Sequence, residues 1–284
     1  MSTAPLPRAT PPVKTSLRPG SASLRLVSAT VRVYFLRFAS NPIMLIRAPF
    51  QPLLILLGFH LAYAVSDQTR VAGVDAMGFL VVGMLATLAW SSTVWGAGNA
   101  LQAEVYQGTI SAVVAAPGRI SSVILGYGLG SMVVNLPALA VSILTGLLLG
   151  ADVRIDHPAA AVVALMALYA CCLCIGLGFG GLFILSRQSN ALSNFLQGPV
   201  YLLGGFFVPR SALPEGLQRV SVLLPIAHAT DAVRATLLSG AGLGQIAGEL
   251  LATALTSVVF LVAGLWGLHR LDEVVRRRGT LDLL

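Results

Sequence analysis

The run AMGFLVVGMLATLAWSSTVWGAGNALQA, residues 76–103, holds 28 residues without an Asp, Glu, Lys or Arg. A helix rising about 1.5 Å per residue needs roughly 20 apolar residues to cross a bilayer core. This stretch exceeds that length, and one charge at its centre would cost about 2.5–3.5 kcal/mol. Reading outward from charge to charge gives five more such runs, at 48–66, 120–151, 157–186, 188–209 and 250–269. Each is expected to be a transmembrane helix, so the chain reads as an all-α polytopic membrane protein with six spans.

Composition points the same way. Of 284 residues, 56% are hydrophobic and only 10% charged, against about 25% charged in a soluble domain. Such a chain cannot clothe a water-facing surface, and a lipid bilayer is its expected surrounding. The net charge of +7 does not form a compact basic face interleaved with aromatics, so no nucleic-acid partner is expected. Placing both termini in the cytoplasm puts 13 of the 18 Lys and Arg residues on that side, as the positive-inside rule favours.

The flanks and connections differ in character. Residues 1–20 hold five of the 15 prolines and read as a disordered cytoplasmic tail, with no signal peptide. Residues 21–41 place Leu24, Val27, Val31, Phe35 and Phe38 at helical spacing, with Arg25 and Arg32 elsewhere on the wheel. That pattern fits an interfacial amphipathic helix on the membrane surface, or one packed on a soluble partner. Asn41-Pro42 would end it. The six-span transmembrane body then runs over 42–270, with a cytoplasmic C-terminal tail at 271–284.

Residues 206–249 are too apolar for a loop and too interrupted for a span. Leu213, Leu217, Val220 and Leu224 share one helical face, with Pro214 suited to a first turn. After Pro225, Ile226, Ala229, Val233 and Leu237 share another, with Gly240 as a stop. Two short reentrant helices before the last span are expected, the alternative being a soluble external hairpin. Asp231 and Arg234, at i,i+3, would pair to steady them.

Several chemistries are excluded. The only lysine, Lys14, stands between Val13 and Thr15, so the Gly-Lys-Ser/Thr of a phosphate-binding loop is missing. If ATP and Mg drive the protein, another chain must bind them; this chain is expected to hold no cofactor and to be no enzyme. His60, His157, His228 and His269 are scattered. His60, inside the first span, is either functional or a packing residue. Ser91, Ser92 and Ser142 have no evident base. Cys171, Cys172 and Cys174, in LYACCLCIGLG, read as packing residues. GYGLGS at 126–131 and GLGFGG at 176–181 lack the strand context of a dinucleotide site and read as close helix–helix packing. A secondary transporter or channel remains the contrasting class, disfavoured by spans that offer nothing to titrate.

The polar island AEVYQGTISAVVAAPGR, residues 103–119, separates two long uncharged runs. Its Glu104, Gly108, Thr109, Ile110 and Pro117 resemble the segment after the second span in the membrane subunits of type-2 ABC exporters, particularly the bacterial drug-resistance branch. GGFFVPRSALPEGLQRVSVLLPIAHATDAVRATLLSG, with Phe207, Pro209, Leu213, Pro214, Pro225 and Arg234, resembles that family's signature before the last span. Ser111 departs from it, standing where a second acidic residue is frequent.

The resemblance implies a division of labour in a bacterial inner membrane. Two permease subunits, the same or homologous chains, form the path, and nucleotide-binding ATPase subunits dock from the cytoplasm. Glu104, Gln107, Gly108, Thr109, Ile110 and Pro117 would be the coupling element, with Glu104 meeting a basic group on the ATPase and Gly108-Thr109 turning the chain. Trp90, Trp95 and Asn99, with Asn194, Gln197, Tyr201 and Phe206, would line a cavity between two permeases, or simply pack. The implied activity is export of a hydrophobic or amphipathic compound, a drug or antibiotic first and a lipid or glycolipid second.

Overall fold

The computed structural model describes residues 19–66, 69–93, 96, 104, 108, 120–185 and 189–278. Its elements in chain order are α1 (Pro19–Ala39), α2 (Pro42–Ser66), a hairpin of β1 (Arg70–Val71) and β2 (Val74–Asp75), α3 (Ala76–Thr93), α4 (Ile120–Leu148), α5 (Pro158–Leu185), α6 (Ser189–Leu203), a 3-10 turn (Arg210–Ala212), α7 (Glu215–Ser221), α8 (Pro225–Leu238) and α9 (Leu243–Arg278). The protein is all-α and polytopic; its two-residue strands pair antiparallel, with Arg70 opposite Asp75. Among the described residues, four helices are long and apolar enough to cross a membrane: Ala76–Thr93, Ser121–Leu148, Pro158–Phe179 and Leu243–Gly267. Pro49–Val65 of α2 is a shorter apolar helix.

The helix from the opening run, α3, is buried along almost its whole length. Apolar on every side, it has no face to present to water and sits at the centre of the bundle. Its neighbours are fixed by glycines. Gly146 on α4 lies against Val81, and Gly96, beyond the end of α3, lies against Ser131. The two helices are therefore antiparallel. Gly178 on α5 and Gly264 on α9 meet backbone to backbone, while His157 lies beside Gly242, so α5 and α9 run parallel. The glycine-rich stretches at 126–131 and 176–181 are thus packing surfaces: Gly126 receives Thr30 of α1, Gly130 receives Tyr34, and Gly178 receives α9.

The helix ends differ from the spacing-based expectation in several places. α1 begins at Pro19, inside the stretch read as a tail, and residues 1–18 lie outside the described ones. It packs on α4 through Thr30 and Tyr34, which leaves Leu24 and Phe35 of its expected apolar face exposed. α2 begins at Pro42, not at residue 48, and carries Pro49 and Pro52 inside it. α9 begins at Leu243 and continues to Arg278, so part of the stretch read as a C-terminal tail is helix.

The fifth run departs most. Among its described residues only Ser189–Leu203 is helical, because Gly204-Gly205 closes the helix. Gly205 takes φ +68°, Phe206 N–H donates to the Tyr201 carbonyl at 3.0 Å, and Gly205 N–H donates to Leu202 at 3.2 Å. These are the paired bonds of a Schellman cap. The Tyr201 and Phe206 rings, 5.2 Å apart, supply its apolar contact. The chain then turns over Gly83 of α3, whose missing side chain makes room for the Phe206 carbonyl. Gly83 lies seven residues into α3, about 10 Å along it. From there α7 and the deeply buried α8 return the chain toward α9.

The Gly178–Gly264 crossing generates a direct expectation. Gly264→Leu must push α5 and α9 apart, and overpacking of this kind costs about 1–3 kcal/mol. Thermal unfolding in detergent should show a lowered Tm. Gly58→Ala, where a Cβ meets nothing within 4 Å, should leave the Tm unchanged or slightly raised. Equal Tm values for all three proteins would contradict the packing described.

Candidate functional site

The polar contacts among the described residues include two clusters that tie separate segments of this apolar bundle together. The first gathers around Glu104, whose residue exposure is only 4%. Arg37, in the last turn of α1, donates from Nη1 to Glu104 Oε1 at 3.0 Å. The Tyr127 hydroxyl of α4 donates to the same oxygen through a short hydrogen bond. Arg37 Nη1 also lies 3.3 Å from the Tyr127 hydroxyl, and Tyr127 meets Tyr34 edge-on, with centroids 5.9 Å apart. One carboxylate thus ties the start of the polar island to α1 and to α4. A buried carboxylate demands such partners: stripped of them it would carry a desolvation cost of several kcal/mol.

This arrangement turns Glu104 inward. The sequence reading offered it to a basic group on a partner, whereas its cation is Arg37 of the same chain. Gly108 is exposed and takes φ +69°, a left-handed turn that suits glycine. Gln107, Thr109, Ile110 and Pro117 lie outside the described residues.

The second cluster joins the broken end of α6 to α8. Arg234, on α8, donates from Nη2 to the Gly205 carbonyl through a short bond and to the Phe206 carbonyl at 3.2 Å. Its Nη1 reaches Asp231 Oδ1 at 3.4 Å. Its guanidinium lies over the Phe79 ring of α3, 3.9 Å from the centroid. Asp231 is also ion-paired with Arg210 of the 3-10 turn. One planar cation therefore serves two carbonyls, a carboxylate and an aromatic face, which a point-charge ammonium cannot match. The i,i+3 pairing expected of Asp231 and Arg234 is present and belongs to this larger tie. Pro214 precedes α7 and Pro225 opens α8, while Pro209 precedes the 3-10 turn.

The described residues among those assigned to a pathway sit in different surroundings within the chain. Trp90 and Phe206 are buried in the main core. Trp90 meets Phe179 edge-on at 6.4 Å. Tyr201 packs on Phe206 and Phe207 and accepts a short hydrogen bond from Gln197. Asn194 is exposed. Trp95 and Asn99 lie outside the described residues.

The sequence reading missed Arg37, Tyr127 and Arg210. The signals were present but faint: Arg37 falls in the last turn of α1 on the side of Thr30 and Tyr34, and Tyr127 sits inside GYGLGS. It also missed that His228 bridges helices, with Nδ1 2.7 Å from Glu249 of α9 and Nε2 2.9 Å from the Val222 carbonyl.

The family described as ABC-2 type transporter matches residues 25–238, and the chain belongs to it. It is accordingly a membrane-embedded permease component of a transporter, of a kind that implies an ATPase partner and a lipid bilayer. No curated protein matches the chain.

The Arg234 tie can be tested by two substitutions. Arg234→Met leaves Asp231 and two carbonyls short of a donor and should lower stability by about 3–5 kcal/mol. Arg234→Lys keeps the charge but loses the fork, with an expected loss of about 1–3 kcal/mol. Thermal unfolding of each in detergent reads the order wild type above Lys above Met. Wild-type stability in the Met variant would show that the tie carries nothing.

Proposed function

We propose that this member of the ABC-2 type transporter family is the permease subunit of an ATP-driven exporter, carrying a hydrophobic or amphipathic compound outward. A drug or antibiotic is the first cargo class and a lipid or glycolipid the second. Two permease subunits form the path in a bacterial inner membrane, with both termini cytoplasmic. Separate ATPase subunits bind ATP and Mg and press on the island at 103–119.

The observation that carries this reading is the Arg37–Glu104–Tyr127 tie. A motor acting on the island would find its first residues joined to two rigid helices, and α4 is long enough to carry a displacement across the membrane. Such a junction transmits a rigid-body movement without catalytic groups of its own. Glu104 works here as the internal fastening of the lever, and the exposed turn at Gly108 and the residues after it supply the docking contact. The uncharged spans and the missing phosphate-binding loop speak against a self-powered carrier or channel.

The test reconstitutes the permease with its P-loop ATPase in proteoliposomes and follows ATP turnover together with cargo uptake. In the Arg37→Ala/Glu104→Gln double variant the ATPase should remain bound. Cargo transported per ATP should fall by about 5- to 150-fold, the range of an ordinary coupling free energy. Export at the wild-type ratio in that variant, or transport by the permease with no ATPase present, would refute the proposal.

A further inference from the structure

At the end of the bundle away from Glu104, two cavities meet. From Tyr127 to Leu148, α4 separates the two ends by about 30 Å. The smaller cavity, about 240 Å³, is lined mainly by apolar groups, with His60, Tyr63 and Ala64 of α2, Met77 of α3 and Leu149 after α4. The larger, about 460 Å³, is mainly polar and is lined by Arg70, Gly73, Asp152, Arg154 and Ser239 among others. Thr69 and Asp75 line both. The two cavities therefore adjoin at the β1–β2 hairpin, an apolar lobe on one side and a charged lobe on the other.

The charges in the polar lobe are not equivalent. Asp75 is committed to the fold: its Oδ2 accepts the Gly78 N–H at 2.7 Å, at the start of α3, and the Asp152 N–H at 3.3 Å. Asp152 and Arg154 form an exposed pair at 2.9 Å, worth little in water and easily exchanged. Arg70 is exposed on the hairpin rim. The lobe thus holds two guanidiniums and two carboxylates: Arg70 stands exposed on the hairpin, and an incoming anion would compete with Asp152 for Arg154 in an exchangeable surface pair. Guanidiniums recognise phosphate through paired N–H donors. The lobe beside them is apolar and lies where α3 enters its uncharged run.

We propose that these adjoining cavities bind an amphiphile with an anionic phosphate headgroup, its head on Arg70 and Arg154 and the first part of its chain against Tyr63, Ala64 and Met77. His60, left unassigned by the sequence, lines the apolar lobe. This site is separate from the tie that carries the proposed transport mechanism and does not depend on the identity of the cargo.

The experiment measures binding to the full chain in uncharged detergent, by native mass spectrometry and by titration calorimetry. Three probes are compared: a single-chain lysophosphatidic acid, glycerol phosphate as the head alone, and an uncharged monoacylglycerol of the same chain length. The lysophosphatidic acid should bind at least tenfold more tightly than either other probe. Arg70→Glu and Ala64→Trp should each weaken it tenfold or more, the first by reversing a charge and the second by filling the apolar lobe. Far-ultraviolet circular dichroism and the Tm of both variants should match wild type, since Arg70 is exposed and Ala64 lies at the rim of α2. A variant that misfolds is replaced by Arg70→Gln or Ala64→Leu, with the same direction expected. Equal binding of glycerol phosphate would overturn the role of the apolar lobe. Equal binding of the uncharged lipid would overturn the role of the guanidiniums. Unchanged affinity in the folded variants would overturn the site itself.

Discussion

A carboxylate enclosed by apolar helices must be given a cation and a donor, or the helices around it cannot close. Glu104 poses that demand, and Arg37 and Tyr127 meet it. Meeting it constrains much else. Arg37 has to come within reach, so α1 must lie along α4. That approach is possible because Gly126 and Gly130 leave a groove for Thr30 and Tyr34. The N-terminal amphipathic helix is thereby packed along α4 on one side, with Leu24 and Phe35 left exposed on another.

A second constraint governs the other half of the fold. The fifth uncharged run stops short because two consecutive glycines favour a left-handed cap over a further helical turn. Ending a helix inside an apolar bundle exposes backbone carbonyls that need donors. The Gly204, Gly205 and Phe206 N–H groups and the Ser221 hydroxyl donate to the last carbonyls of α6, and Arg234, held by Asp231 and by the ring of Phe79, donates to the Gly205 and Phe206 carbonyls just beyond. The short helices before α9 are therefore fastened to the central helix and are not a loosely packed connection. Between the two ties, α3 and α4 form an antiparallel pair closed by Gly146 against Val81, a stiff body joining one end of the molecule to the other.

Much of this was legible in the sequence. Runs without charge located the spanning helices, since the cost of a buried charge is large and local. Glycine-rich stretches named the helix contacts, and Pro225 and Gly240 marked the ends of α8. What escaped the reading depends on long-range geometry. Glu104 looked like a contact for a partner because nothing in its neighbourhood names a cation, and Arg37 lies 67 positions away. For Trp90 and Phe206 the sequence left lining and packing both open, because a large aromatic on an uncharged helix reads alike whether it faces a cavity or the core; within the chain both are buried in the core. The length of the fifth span was overestimated because absence of charge says where a helix can lie in lipid and not where its hydrogen bonding ends.

The central claim is that Arg37 and Glu104 act as one unit within the chain. A double-mutant cycle on Arg37→Met and Glu104→Gln, read by unfolding in detergent, tests it most directly. The account predicts that the two changes are non-additive, with an interaction energy of about 0.5–3 kcal/mol, the second substitution costing far less once the first is made. Strict additivity would contradict it, showing that Glu104 finds its partner elsewhere and that the island is not fastened to α1.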